Sequence, residues 1–297
     1  MSTNYDWEST FRQWAAPPGK TERDRCANAE QATKNAISKN PKLKSRNIKI
    51  FTQGSYRNNT NVKKDSDVDI GVLCYNTFFY NLPEGYSKDD FNIIDATYHF
   101  SDFKNEVQEA LVDYFSKNSV HRGNKSFDIK ENSYHVDADV TPFFEHRRYD
   151  ANGTYESGVE LYADNGASVI NWPEQHYNNG VSKNNTTGRR YKSLVRILKS
   201  LCNEMVNNGS ASAKPIPGFL NECLIWNVPN DDFGHSTYWA DVRACLAHLF
   251  NNTRDNKDCS EWGEVSELKY LFRGPQKWTR SQAHQFISDA WDYIGFE

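Results

Sequence analysis

The feature that most narrows what this chain can be is a pair of aspartates set into an alternating apolar run. In Asp67-Val68-Asp69-Ile70-Gly71-Val72-Leu73-Cys74, an extended backbone puts Val68, Ile70, Val72 and Cys74 on one face and Asp67, Asp69 and Gly71 on the other. The spacing predicts a strand over 66–74. Aspartate is a poor strand residue, because its short charged side chain neither packs nor accepts burial without a partner. Residues 134–143 repeat the pattern. Val136, Ala138 and Val140 oppose His135, Asp137, Asp139 and Thr141, and Pro142 predicts that this strand ends, bulges or lies at a sheet edge. Carboxylates crowded on neighbouring strands repel unless a cation lies among them. All-oxygen ligands without a cysteine suit Mg²⁺, with Mn²⁺ as a substitute. A lone Asp-x-Asp fits a charged edge strand equally well, so the segment before it has to decide.

That segment is a short β-branched run at 47–51, with Ile48 and Ile50 alternating, which leads into Gln53-Gly54-Ser55. A glycine leaving a strand lets backbone approach phosphate closely. Ser55 adds a hydroxyl and an N–H, and a helix start favours anions. Gln53, Gly54 and Ser55 are therefore candidate phosphate contacts. Asp67, Asp69 and a third carboxylate are candidate metal ligands, enough for a two-ion site for in-line phosphoryl or nucleotidyl transfer. Asp137 and Asp139 share a face, and periodicity does not choose between them.

A helix is expected over 20–39, with Cys26, Ala29, Ala32, Ala36 and Ile37 inward and Pro41 as its stop, and another over 101–117 behind a Ser101 cap. The polar, glycine-bearing stretch 178–188 reads as a hinge. Beyond it, helices are expected over 189–206, 217–227, 236–251, 262–272 and 279–294, punctuated by Pro215, Pro217, Pro229 and Pro275. The division is thus an α/β half, 1–183, and a helical half, 184–297. On the 189–206 helix, Arg189, Lys192, Arg196, Lys199 and Asn203 fall along one face, while Leu194, Ile197, Leu198, Leu201 and Met205 fill the packing side. Such a stripe is either a solvated face or one wall of a triphosphate site.

Several classes are excluded. Among 297 residues, 35 Lys+Arg against 39 Asp+Glu leave a net charge of −4, which disfavours a protein that coats long nucleic acid. No apolar run reaches membrane-spanning length, and the first residues show no secretory leader, so a cytoplasmic protein is expected. The six cysteines form no CxxC pair and are expected to be reduced thiols, and the Asn-x-Thr sequons then carry no glycan. P-loop, GxGxxG and GxSxG patterns do not occur. His121, His135, His146 and His176 lack metal-site spacing and read as hydrogen-bonded structural or surface histidines. Trp226, Trp262, Trp278 and Trp291 read as core or interface, and Tyr191 or Tyr238 is a candidate for stacking on a base.

The segments FTQGSYRNNTNVKKDSDVDIGV and YHVDADVTPFF resemble the polymerase-β-like nucleotidyltransferases, and most closely the bacterial CD-NTases, relatives of cyclic GMP–AMP synthase and oligoadenylate synthase. The family pattern falls on Gly54, Ser55, Thr60, Ser66, Asp67, Asp69, Asp139 and Pro142. The similarity continues through KNNTTGRRYKSLVRILKSL and PIPGFLNECLIWNVPN. It implies an α+β fold, with a mixed sheet flanked by helices as nucleotidyltransferase core, a C-terminal helical lobe, and an active site in the cleft between them. The distance to Pro142 selects Asp139 as the third carboxylate. Lys199 matches a lysine that contacts donor phosphates, with Lys192 and Arg196 as further candidates. Relatives often carry a serine before the FLxE segment, where this chain has Gly218. The implied activity uses NTPs and Mg²⁺ to make a cyclic di- or trinucleotide second messenger in anti-phage signalling, with pyrophosphate release and a downstream effector that senses the product. The alternative is template-independent transfer to an RNA end or a small acceptor.

Overall fold

The computed structural model describes residues 6–62, 67–130, 136–255, 258–274 and 276–297. In chain order the elements are α1 (Trp7–Ala15), α2 (Lys20–Lys39), β1 (Ile48–Thr52), α3 (Gly54–Asn58), β2 (Val68–Asn81), α4 (Phe100–Phe115), β3 (Val120–Arg122), β4 (Phe127–Ile129), β5 (Ala138–Tyr149), β6 (Tyr155–Tyr162), β7 (Ser168–Asn171), α5 (Pro173–Thr186), α6 (Arg190–Asn207), α7 (Gly218–Trp226), α8 (Tyr238–Thr253) and α9 (Arg280–Ile294). Of the described residues, 19–57 and 67–173 form one compact unit, and 6–18, 58–62 and 174–297 form another. The boundary read at 183 falls after Pro173 instead, and α1 and residues 58–62 belong with the helices.

The first unit is built on a mixed sheet of order β1-β2-β5-β4-β3, with β6 on β5 and β7 on β6. Its centre is the parallel pair β2 and β5, and the other pairings are antiparallel. The alternation seen in sequence is what the sheet buries. Val68, Ile70, Val72 and Cys74 are fully covered, as are Val136, Ala138 and Val140 to within a few per cent. The side chains of α2 and α4 close this core, with Cys26, Ala29, Ile37, Phe103, Val107 and Leu111 in one cluster with the strands.

Both central strands outrun their expected lengths. β2 continues past Cys74 through a register shift before Phe78, where Asn76 Oδ1 accepts the Asn47 N–H at 2.8 Å. β5 passes through Pro142 and runs to Tyr149. Pro142 falls between Val140, the last residue paired with β4, and Phe144, the first paired with β6. Its missing donor costs no ladder bond on that side, where the strand changes neighbours.

The helical unit encloses Leu194, Ile197, Leu198, Leu201 and Met205 of α6 against α7, α8 and α9. Two expectations fail here. Residues 178–186, read as hinge, are helical within α5, which buries only Gly180 and so carries no apolar stripe to announce itself. The turn comes later, at Gly188 and Arg189, both left-handed at φ +57° and +67°. Residues 262–272 form a tight loop instead of a helix, closed by an antiparallel bridge of Gly263 and Tyr270 and by the Leu271 N–H donating to Trp262 O at 2.7 Å. Val265 and Leu271 are buried from the two arms of this loop. α1 has no counterpart among the expected helices. Asp6 caps it by accepting the Ser9 N–H at 3.0 Å, and Trp7, Phe11 and Trp14 form its inward stripe.

All six cysteines are buried and free. No helix among the described residues is long and apolar enough to cross a membrane.

The sheet unit is tied together at one polar knot. Lys104, 2% exposed, donates to Asp164 Oδ1 and Asn124 O, both at 2.8 Å. Arg122 grips the same carboxylate through Nε at 2.9 Å and Nη2 at 2.8 Å. The Arg122 bonds, with Lys104 behind them, hold the Asp164 carboxyl well below its usual range. A depressed carboxyl stabilises the fold above its unfolded pKa, and that contribution drains away as pH falls towards the folded value. Asp164→Asn therefore lowers the thermal midpoint at pH 7, and the gap to the parent narrows below about pH 4, measured by circular dichroism melts across that range.

Candidate active site

β1 delivers the Gly-Ser turn onto β2. The Gln53 N–H donates to Asp69 O at 2.8 Å, so the turn is bonded to the strand that carries the acidic pair. Gly54 is left-handed at φ +64°, and a Cβ there would stand 2.2 Å from Asp69 Oδ2. Glycine is required twice, by the backbone angle and by the carboxylate that occupies the side-chain position. Ser55 follows at the start of α3. Tyr56 then fixes α3 to α2 by donating to Glu22 Oε1 at 2.8 Å; burial and its Cys26 and Glu22 neighbours push the phenol far up.

The strand registers align the carboxylates. Asp69 lies directly beside Asp139 in the parallel β2–β5 ladder, and Asp139 lies directly opposite Asp128 in the antiparallel β4–β5 ladder. Three adjacent strands thus present Asp69, Asp139 and Asp128 in one transverse row. Asp67 is exposed just before β2, and the Val68 N–H donates to Asp137 O at 3.0 Å, so Asp137 sits one repeat further along. Burial first, then the charge and hydrogen bond of Asp128, then the charges of Asp69 and Asp67, push the Asp139 carboxyl up to about 7. Asp128 is missing from the sequence reading because β4 is only three residues long; the signal was the alternation Phe127-Asp128-Ile129, whose flanks are buried. Ser66 and His135 lie outside the described residues.

Among the described residues, no three His, Cys, Asp or Glu side chains are gathered into a ready metal-ligating group. The all-oxygen donors of this row fit a hard cation, since Mg²⁺ takes one or two carboxylates and completes its shell with water and substrate phosphate. The like-charge crowding on Asp139 is the strain such an ion relieves.

The basic stripe on α6 turns out to be largely interior. Arg196 is 5% exposed, and burial lowers it to about 10. It donates through Nε and Nη2 to Ala15 O at 2.9 and 2.5 Å, through Nη1 to Asn59 O, and through Nη2 to Ser193 Oγ at 3.3 Å. Those bonds commit Arg196 to holding α1 and residue 59 against α6, in place of the phosphate role expected of it. Lys192 is half-buried over the Tyr177 ring at 5.6 Å, and burial lowers its pKa. Lys199 is buried beside Glu222 and Thr60. Glu222 accepts from Thr60 Oγ1 at 2.8 Å, and His176 Nε2 lies 2.8 Å from its other oxygen. Burial alone would raise this carboxyl, yet Lys199, His176 and Thr60 together bring it down to about 2.

His146 is buried with Nδ1 2.7 Å from Glu160 Oε2, and His121 is exposed on β3. Tyr191 is fully buried with its ring edge-on to Trp226 at 5.9 Å, so it is core and no stacking platform. Tyr238 carries the Arg190 guanidinium over its ring at 4.3 Å.

A mixed sheet that pairs strand aspartates behind a glycine-opened helix start is the architecture of a nucleotidyltransferase. Residues 33–135 match the nucleotidyltransferase domain, and residues 178–295 match the cGAS/DncV-like nucleotidyltransferase C-terminal helical domain. The chain belongs to the CD-NTase family. It is 43% identical over 294 residues to the cyclic dipyrimidine nucleotide synthase CdnE of Legionella pneumophila, covering 97% of this chain and 98% of that protein. It is 40% identical over 290 residues to the protein of that name from Cecembia lonarensis, with the same coverage. Among solved structures, Elizabethkingia meningoseptica CdnE cyclic dinucleotide synthase with GTP and Apcpp superposes at a TM-score of 0.80 and 33% identity, covering 97% of this chain and 99% of that one. Rhodothermus marinus CdnE c-UMP-AMP synthase with Apcpp and Upnpp superposes at 0.84 and 27% identity, covering 98% of each.

Gly54→Ala tests the turn. Backbone strain costs about 1–2 kcal/mol at a left-handed position, and the new methyl displaces the Asp69 carboxylate. The expected outcome is a folded protein, by circular dichroism, whose nucleotidyl transfer falls at least about a hundredfold, a loss near 2.7 kcal/mol of barrier lowering.

Proposed function

We infer that this enzyme joins two pyrimidine nucleoside triphosphates into a cyclic dinucleotide and releases pyrophosphate at each of two transfers. The observation that carries the reading is the placement of Asp69 beside Asp139 with Gly54 packed on Asp69. The choice of pyrimidines rests on the two cyclic dipyrimidine synthases at 40% and 43% identity, against a cyclic dipurine synthase from Elizabethkingia meningoseptica at 36%.

In each transfer a ribose hydroxyl of one nucleotide forms a bond to the α-phosphorus of another, and the bond from that phosphorus to pyrophosphate breaks. Asp67, Asp69 and Asp139 would hold the divalent ions that accompany the triphosphate. Bound Mg²⁺ supplies charge neutralisation on the phosphoryl oxygens. Gln53, Gly54 and Ser55 take the donor phosphates at the turn that opens α3. Lys199 and Lys192 serve as donor-phosphate cations. The family resemblance supports a cytoplasmic setting in anti-phage signalling, with an effector that reads the product.

Incubation with all four NTPs and Mg²⁺, followed by mass spectrometry, gives a cyclic dipyrimidine dinucleotide as main product; linear products alone, or none, contradict the reading. In the same assay Asp139→Ala loses about a thousandfold in rate while Asp137→Ala keeps most of it. If only Asp137→Ala abolishes turnover, the third carboxylate is misassigned.

A further inference from the structure

The buried cluster around Lys199 contains a mismatch between charge and hydrogen bonding. Glu222 is 3% exposed and has committed both oxygens to short bonds, one with Thr60 Oγ1 and one with His176 Nε2, each at 2.8 Å. Lys199 is 4% exposed, and its ammonium carries three donors. Among the described residues its hydrogen-bond contacts are Thr60 Oγ1 and Glu222 Oε2, both at 3.5 Å, beyond the usual 2.7–3.2 Å of a protein hydrogen bond. The cation is therefore held in place by charge and keeps most of its hydrogen-bonding capacity. Its one anionic partner, Glu222, lies at ion-pair distance and not at that of a short hydrogen bond.

Position 218 also lies against this lysine. Gly218 opens α7, and a Cβ there would lie 3.5 Å from Lys199 Cε and 3.8 Å from Nζ. A side chain at 218 would sit against the ammonium, and glycine removes it.

We propose that Thr60 and Glu222 are positioning residues that hold Lys199 as a hydrogen-bond-poor donor for the polyphosphate of a bound nucleotide. This rests on the reading of Lys199 as a donor-phosphate contact. Thr60, a member of the Gly-Ser to Asp-x-Asp motif, thereby gains a definite role. Its hydroxyl donates to Glu222 and turns its lone pairs to Lys199, without touching the nucleotide. Glu222 supplies the counter-charge that lets an ammonium remain buried, and it stands 3.5 Å from Lys199 Nζ while it makes shorter bonds with Thr60 and His176.

The test compares Thr60→Val, Thr60→Ser and Glu222→Gln with the parent in two measurements. Steady-state kinetics with UTP and CTP should show KM raised about tenfold in Thr60→Val and Glu222→Gln, equivalent to about 1.4 kcal/mol, with kcat within about threefold. Thr60→Ser, which keeps the hydroxyl, should return KM to within about twofold of the parent. A residue that merely supports the fold would lower kcat along with the folded fraction and would show no such rescue. Calorimetry with inorganic tripolyphosphate reads the same cluster without turnover and should show a matching loss of affinity in Thr60→Val. If Glu222→Gln does not fold, Thr60→Val and Thr60→Ser decide alone. Unchanged KM and tripolyphosphate affinity in folded Thr60→Val, or a Thr60→Ser as impaired as Thr60→Val, overturns the proposal. A parent enzyme that binds tripolyphosphate but yields no cyclic product sinks the cyclase reading and leaves the positioning roles standing.

Discussion

The parallel pairing of β2 with β5 sets everything else in the sheet unit, because it fixes which aspartates are neighbours. With Val68 opposite Ala138, a period of two places Asp69 beside Asp139, and the antiparallel pairing of β4 then adds Asp128 to the row. A slip of one residue would send these carboxylates into the core and bring Val68 and Ile70 out. The apolar face prevents that slip, since Val68, Ile70, Val72 and Cys74 are all fully buried. The same alternation that stabilises the strand aims its acids outward, so folding and site assembly are one event. The cost is a half-buried acidic row in which Asp139 is driven up to about 7.

In the helical unit, buried cations organise loops that have no core of their own. Arg196 collects the carbonyls of Ala15 and Asn59, and Lys199 and His176 gather at Glu222 with Thr60. Each joins residues more than a hundred positions apart in the chain, or elements with no apolar stripe in common. Removing one partner from such a set leaves the other charged and buried, a loss of about 3–5 kcal/mol. These contacts therefore specify a single arrangement of residues 58–62 against α6 and α7 more sharply than apolar packing would.

Structure is legible in the sequence wherever a periodic apolar pattern and a local stop signal coincide. Helix α2 with its buried Cys26, Ala29, Ala36 and Ile37 is one case, and the Asp67–Cys74 alternation is another. The strand face of Asp139 is readable, but its partner Asp128 is not, because three residues in β4 are too few for a period to show. Helix α5 escapes such a reading because it buries so little, and residues 262–272, expected to be helical, form a loop. The basic residues of α6 do share one face, as their spacing implies. That the face points inward depends on acceptors at Ala15, Asn59 and Glu222, which no local pattern announces.

The acidic row is crowded by register, yet its carboxylates form no complete cation cage by themselves. Such a site should bind a divalent ion weakly alone and strongly once a triphosphate supplies the missing oxygens. Calorimetric titration of Mn²⁺, with and without a non-hydrolysable UTP analogue, measures this directly. The prediction is an Mn²⁺ affinity that rises at least about tenfold in the presence of the analogue, and a gain that disappears in Asp69→Asn. Equal Mn²⁺ affinity with and without nucleotide, or a gain that survives Asp69→Asn, would contradict it.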